Sequence, residues 1–170
     1  MACKNFVRKH LLGIVIIILI NLSACGYYSF KGALPSHIQS ISIPIFVDRT
    51  SYPGMQEKVT DSVIEAFVSD NTLKVVDESK ADLIISGSIQ SVNQRAASVS
   101  AGEQVTEYQV YVNVKVVCED IRESKKLYDK TFRQYGLMPF SGGQDEKDAA
   151  IDEAIVLITE DIVNTTLGGW

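Results

Sequence analysis

Cys25 is the side chain in this sequence best placed to do chemistry. It follows Leu22 and the small-residue pair Ser23-Ala24, of the kind that ends a cleavable secretory signal. Ahead of them runs an apolar stretch, Leu11 to Ile20, and ahead of that stand the cations Lys4, Arg8 and Lys9. A basic start, a short apolar centre and small residues before a cut site together make a signal for export.

The arrangement resembles the lipobox of bacterial lipoproteins. In that resemblance the Cys25 thiol receives a diacylglyceryl group, the chain is cut between Ala24 and Cys25, and the new amino group is acylated in turn. Two other readings stand beside it. A transmembrane anchor would need about 20 mostly apolar residues, whereas this run breaks at Asn21 and is followed by a polar, Gly- and Tyr-containing stretch. A secreted protein with a chance cysteine near its cut site is the other. The lipoprotein reading divides the chain into a signal at 1–24, a lipidated tether at 25–35 and a single domain at 36–170.

Little else in the sequence can do chemistry. Cys3 leaves with the signal and Cys25 is consumed by lipid, so Cys118 is left without a partner for an intrachain disulfide. It closes a valine-rich strand, where a packed small hydrophobe is the expectation and a reactive thiol the alternative. The mature chain holds one histidine, His37, read here as a surface residue beside a proline. Alone it is a poor general base and cannot assemble a metal site. No GxSxG elbow, P-loop or GxGxxG occurs. The residues thus point to no catalytic group, no metal and no cofactor, and to a binding or assembly protein rather than an enzyme.

Charge narrows the partners. The whole chain carries −5, and losing three cations with the signal makes the mature part about −8. So acidic a chain argues against nucleic acid. An anionic membrane surface would not attract it either, so lipid must hold it there. The tether of ten residues from Gly26 to Pro35 reaches at most roughly 35 Å. Its Tyr27, Tyr28 and Phe30 could pack on the domain, sit among headgroups or meet a partner.

The domain that follows alternates strands and helices. Ile41, Ile43 and Ile45 predict a first strand over Ile38 to Val47, pushed towards an edge or a bulge by Pro44. Val59, Val63, Ala66 and Phe67 recur at helical spacing, and Asp70-Asn71 should end that helix. Leu73 to Val76 predicts a short strand. Leu83, Ile85, Gly87 and Ile89 predict a longer one with a single apolar face. Tyr108, Val110, Val112, Val114 and Val116 alternate most cleanly, against Gln109, Tyr111, Asn113 and Lys115. Arg122 to Lys125 reads as a hairpin turn, and Leu127 to Tyr135 returns as the last strand. Ile151, Ile155, Ile158 and Ile162 then stripe a helix from about Asp145 to Gly168. The expected fold is α+β, an antiparallel or mixed sheet of about four strands with two helices packed on one face.

With the strands placed, the mature chain resembles the LPS-assembly lipoprotein family LptE, the small subunit of the outer-membrane lipopolysaccharide translocon. The resemblance rests on Cys25-Gly26-Tyr27 with Phe30 close behind, on Leu34-Pro35, and on Ile41-Ser42-Ile43-Pro44-Ile45-Phe46 with Arg49-Thr50. Val105-Thr106-Glu107-Tyr108 matches as well, and Asp48 stands where many relatives carry Asn. The family implies a plug inside the lumen of the barrel subunit LptD that helps this barrel assemble and contacts lipopolysaccharide. It also implies an outer-membrane location, anchored on the periplasmic side or in the barrel lumen. Gly26, where Asp would favour inner-membrane retention, agrees with that. Arg95, Lys115, Lys125, Lys126 and Lys130 could pair with acidic sugars or phosphates, but each is read as a solvated strand-edge or turn cation and none is taken as a site. The rival readings are a periplasmic activator of peptidoglycan synthases and a curli-type secretion lipoprotein.

Overall fold

The computed structural model describes residues 34–99 and 105–168. The expected signal at 1–24, most of the tether and the connection at Ala101-Gly102 lie outside the described residues.

Isoleucine alternation does make a strand at the start of the domain, but Pro44 divides it. It becomes β1 (Ser40–Ser42) and β2 (Val47–Asp48), both running parallel to the same neighbour. Proline cannot donate to a ladder, and the released Phe46 N–H donates instead to Thr60 Oγ1 at 3.1 Å. Thr60 is buried in the helix α1 (Met55–Asp70) and passes its own proton to the Gln56 carbonyl. This helix starts after Gly54, at φ 76°, and stops at Asn71, at φ 57°, whose N–H returns to the Phe67 carbonyl. Asn is among the few non-glycine residues that accept this left-handed position.

The rest of the sheet is β3 (Lys74–Val75), β4 (Leu83–Val99), β5 (Val105–Asp120) and β6 (Lys125–Pro139), with a turn of 3₁₀ helix at Glu78–Lys80 before β4. The strand order is β3-β1-β4-β5-β6, with β2 also on β4. β1 pairs in parallel with β3 and β4, while β4, β5 and β6 form an antiparallel meander. The α+β class and mixed sheet are as expected. The strand count is six rather than about four, because Pro44 splits the first strand and the two-residue β3 joins the edge.

The three long strands outrun their predicted ends. β4 spans 17 residues, roughly 55 Å of chain. A bulge at Gln90 shifts the register between Ile89 and Ser91, so Val92, opposite Val112, returns to the apolar face. A second shift between Ala96 and Ser98 breaks the period of two again.

The second helix, α2 (Gln144–Gly168), carries Ile151, Ile155, Ile158 and Ile162 buried on its stripe. Both helices share one core with Leu83, Ile85, Ile89 and the valines of β5, so both cover the same face of the sheet. Two glycines let the layers close. The Phe46 ring occupies the space over Gly87, and the backbone of Ala150 lies against Gly136. Tyr128 and Thr166 meet through their hydroxyls at 2.8 Å, and Gln134 donates to Asp161 at 2.7 Å, fixing α2 along β6. Edge strand β6 is guarded by Lys125, Lys126, Lys130 and Arg133. At its far end, the Leu137 N–H donates to Glu153 of α2.

Candidate interaction surface

The residues with the sharpest predicted chemistry, Ala24 and Cys25, lie outside the described residues, as do Tyr27, Tyr28 and Phe30. What the fold does show is how the start of the domain is fastened. His37 Nε2 meets Asp120 Oδ2 at 2.6 Å, across 83 residues of sequence. His37 is therefore not the solitary surface histidine expected: its side chain is 19% exposed and that of Asp120 only 1%. Burial alone would raise the Asp120 carboxyl, but hydrogen bonds from the Glu123 N–H and from His37 hold it below the usual carboxylate range. Asp82, just ahead of β4, does the same work. It accepts the N–H groups of Gln39 and Ser40 and the Ser40 hydroxyl, which lower its pKa.

His37, Asp120 and Glu123 bring ligand-type atoms within 4.8 Å of one another. Both Asp120 oxygens are already committed, one to His37 and the other to the Glu123 N–H. The cluster reads as a latch between the segment ahead of β1 and the β5–β6 turn. Cys118 is wholly buried. Burial, then the charges of Asp120 and Glu119, push its thiol up to about 12. A thiol so protonated does not act as a nucleophile near neutral pH, which agrees with its reading as a packed hydrophobe.

The face of the sheet turned away from the helices is the large unpartnered surface among the described residues. Paired residues of adjacent strands share a face, so the register assembles it directly. Ser91 stands beside Asn113 and Asn113 beside Arg133; Asn93 stands beside Tyr111 and Tyr111 beside Tyr135. Amide and hydroxyl groups dominate it. Ser91 Oγ accepts from both Asn93 and Asn113 at 2.9 Å, and the Tyr111 hydroxyl donates to Gln109 at 2.7 Å. The centre is aromatic and cationic. Arg133 lies 4.2 Å from the Tyr111 ring centroid and Arg95 lies 5.8 Å from it, with Tyr135 packed alongside at 5.2 Å. Cation–π contact of this kind favours guanidinium.

The cations singled out in the sequence therefore divide. Arg95 belongs to the cluster around Tyr111. Lys115 and Lys126 both meet Asp129 at 3.2 Å, and their hydrogen bonds lower that carboxyl. Lys130 lies over Phe132. Arg133 was not anticipated, although Asp129, Thr131, Arg133 and Tyr135 alternate on one side of β6 and that period carries the signal.

Residues 38–166 match the family model LptE, lipopolysaccharide-assembly. No curated sequence matches the chain. Among solved structures, the hypothetical protein CT253 from Chlamydia trachomatis superposes with a TM-score of 0.59 at 12% identity, over 78% of this chain and 97% of that one. Protein XCC0632 from Xanthomonas campestris gives 0.57 at 15% identity, over 83% and 88%. The rare lipoprotein B from Shewanella oneidensis gives 0.51 at 14% identity, over 74% and 92%. At such identities the likeness is one of fold.

Proposed function

The chain belongs to the lipopolysaccharide-assembly (LptE) family, and on that premise we propose that it is the lipid-anchored plug of an outer-membrane barrel, LptD. The match runs through nearly the whole described domain, from ahead of β1 into the last turn of α2, and it is the observation that carries the proposal. In this reading the chain is cut between Ala24 and Cys25, Cys25 is acylated, and residues 25–35 tether the domain 36–170 to the outer membrane on its periplasmic side. The protein catalyses nothing. It helps the barrel assemble, fills its lumen and supports delivery of lipopolysaccharide to the cell surface.

The open sheet face suits this role. Barrel lumens are polar, and a face of serine, asparagine, glutamine and tyrosine can exchange water for a polar wall at little loss. A permanent complex buries on the order of 2,000 Å² or more, so protein contact rather than the acyl chains would hold the plug in place. Affinity purification of the tagged full chain from detergent-solubilised membranes tests the reading. It should bring down an outer-membrane barrel that migrates anomalously until heated. Recovery of a murein synthase in its place would contradict it.

A further inference from the structure

We propose that the cleft between the Arg49–Tyr52 turn, the β4 bulge and the first turns of α2 is a binding site for a phosphate monoester, bordering the open sheet face at Ser91. The cleft encloses about 340 Å³, room for a phosphate with a small carrier, and is lined by Arg49, Thr50, Ser51, Gln90, Ser91 and Lys147 among others. Its chemistry is one-sided. Two cations and the hydroxyls of Thr50 and Ser51 line it, and no carboxylate does, in a chain whose overall charge is negative.

Neither cation has an ion-pair partner among the described residues. Lys147 is half-buried, and its ammonium lies 5.5 Å from the Tyr52 ring centroid. It also sits in the first turns of α2, where the helix dipole disfavours a cation, so an anion in the cleft would relieve an otherwise unfavourable placement. The carboxylates that flank these residues in sequence are already hydrogen-bonded, Asp148 at the edge of the cleft itself. Asp48 accepts the Thr50 N–H at 2.7 Å, and Asp148 accepts the Tyr52 hydroxyl and the Gln144 amide. Glu146 caps the Gly143 N–H.

Built elements hold the walls. The Arg49 N–H donates to the Ile89 carbonyl at 3.0 Å, and the Tyr52 N–H donates to Thr50 Oγ1 at 3.1 Å. The bulge at Gln90 brings Gln90, Ser91 and Val92 together along the β4 wall. A forked guanidinium, an ammonium and two hydroxyls match the several oxygens and double charge of a phosphate monoester better than a single carboxylate. The phosphate could be free or carried on a lipid headgroup, and both present the same group to the cleft.

Amide chemical shifts of the full chain in zwitterionic detergent micelles test this. Inorganic phosphate and dihexanoyl phosphatidic acid would be titrated separately. Movement of the Arg49–Tyr52, Gln90–Val92 and Lys147 amides with either probe supports the site. Response to both identifies a phosphate read without its carrier, and response to phosphatidic acid alone identifies a headgroup. Arg49→Gln should weaken binding about tenfold, and Arg49→Gln with Lys147→Gln should abolish it, with the remaining spectrum unchanged. No movement with either probe, movement centred on Arg95 and Arg133, or binding that survives both substitutions would overturn the proposal. Capture of the barrel is not expected to change in these variants, so this test and that of the plug fail separately.

Discussion

Gly136 of β6 lies against Ala150 of α2 so closely that a Cβ on the glycine would stand 2.7 Å from the Ala150 Cα. The obstructing atoms belong to the helix backbone, which cannot rotate aside as a side chain would. Gly136→Ala should lift α2 from the sheet and destabilise the domain by about 1–3 kcal/mol. Urea denaturation reads this directly, and an unchanged midpoint would mean that the helix is not seated where Gly136 places it.

The two faces of the sheet predict opposite responses to the same charge. Val112 is fully buried, and Val112→Asp would place an unpaired carboxylate under the helices, destabilising the domain by about 3–5 kcal/mol. Thr131 stands beside Lys115 on the open face and is exposed. Thr131→Asp should stay within about 0.5 kcal/mol of the parent. Thermal melts of both variants decide the matter. A cooperatively folded Val112→Asp protein would show the faces to be reversed.

Much of this architecture was legible because burial is one-sided. The valines of β5 and the isoleucines of α2 alternate with the periods of a half-buried strand and a helix, and Asn71 announces its left-handed cap. The far half of β4 was not legible. Its register shifts break the period of two, and residues 93–97 are exposed, so no apolar alternation marks them. The parallel docking of β1 and β3 leaves no local signature either, since such short strands are specified by what they pack on.

The same limit applies to the surface. Arg95, Tyr111 and Arg133 lie on three different strands, and only the register brings them together. His37 and Asp120 are 83 residues apart, and nothing local to either names the other.

That latch gives a pH dependence. The folded pKa of Asp120 is depressed, through the Glu123 N–H and His37, in spite of its burial. Its stabilising contribution is therefore present above the unfolded carboxylate value, near pH 4, and is lost as pH falls through the lower folded value. Asp120→Asn should lower the urea midpoint at pH 7, and the gap between variant and parent should narrow as pH drops below about 4. A gap that stays constant from pH 7 to pH 3 would show that the carboxylate's charge contributes nothing.

The central claim is that this chain supports a barrel that delivers lipopolysaccharide. A missing plug would leave the barrel without the domain proposed to occupy its lumen, so the defect should fall on the barrel first and on the cell surface as a consequence. An activator of peptidoglycan synthases would leave the barrel untouched and weaken the wall. The most direct measurement is the amount of folded, heat-modifiable barrel and of surface lipopolysaccharide after the chain is depleted. Both should fall together while wall synthesis continues. Normal barrel and normal surface lipopolysaccharide, with a wall defect, would contradict it.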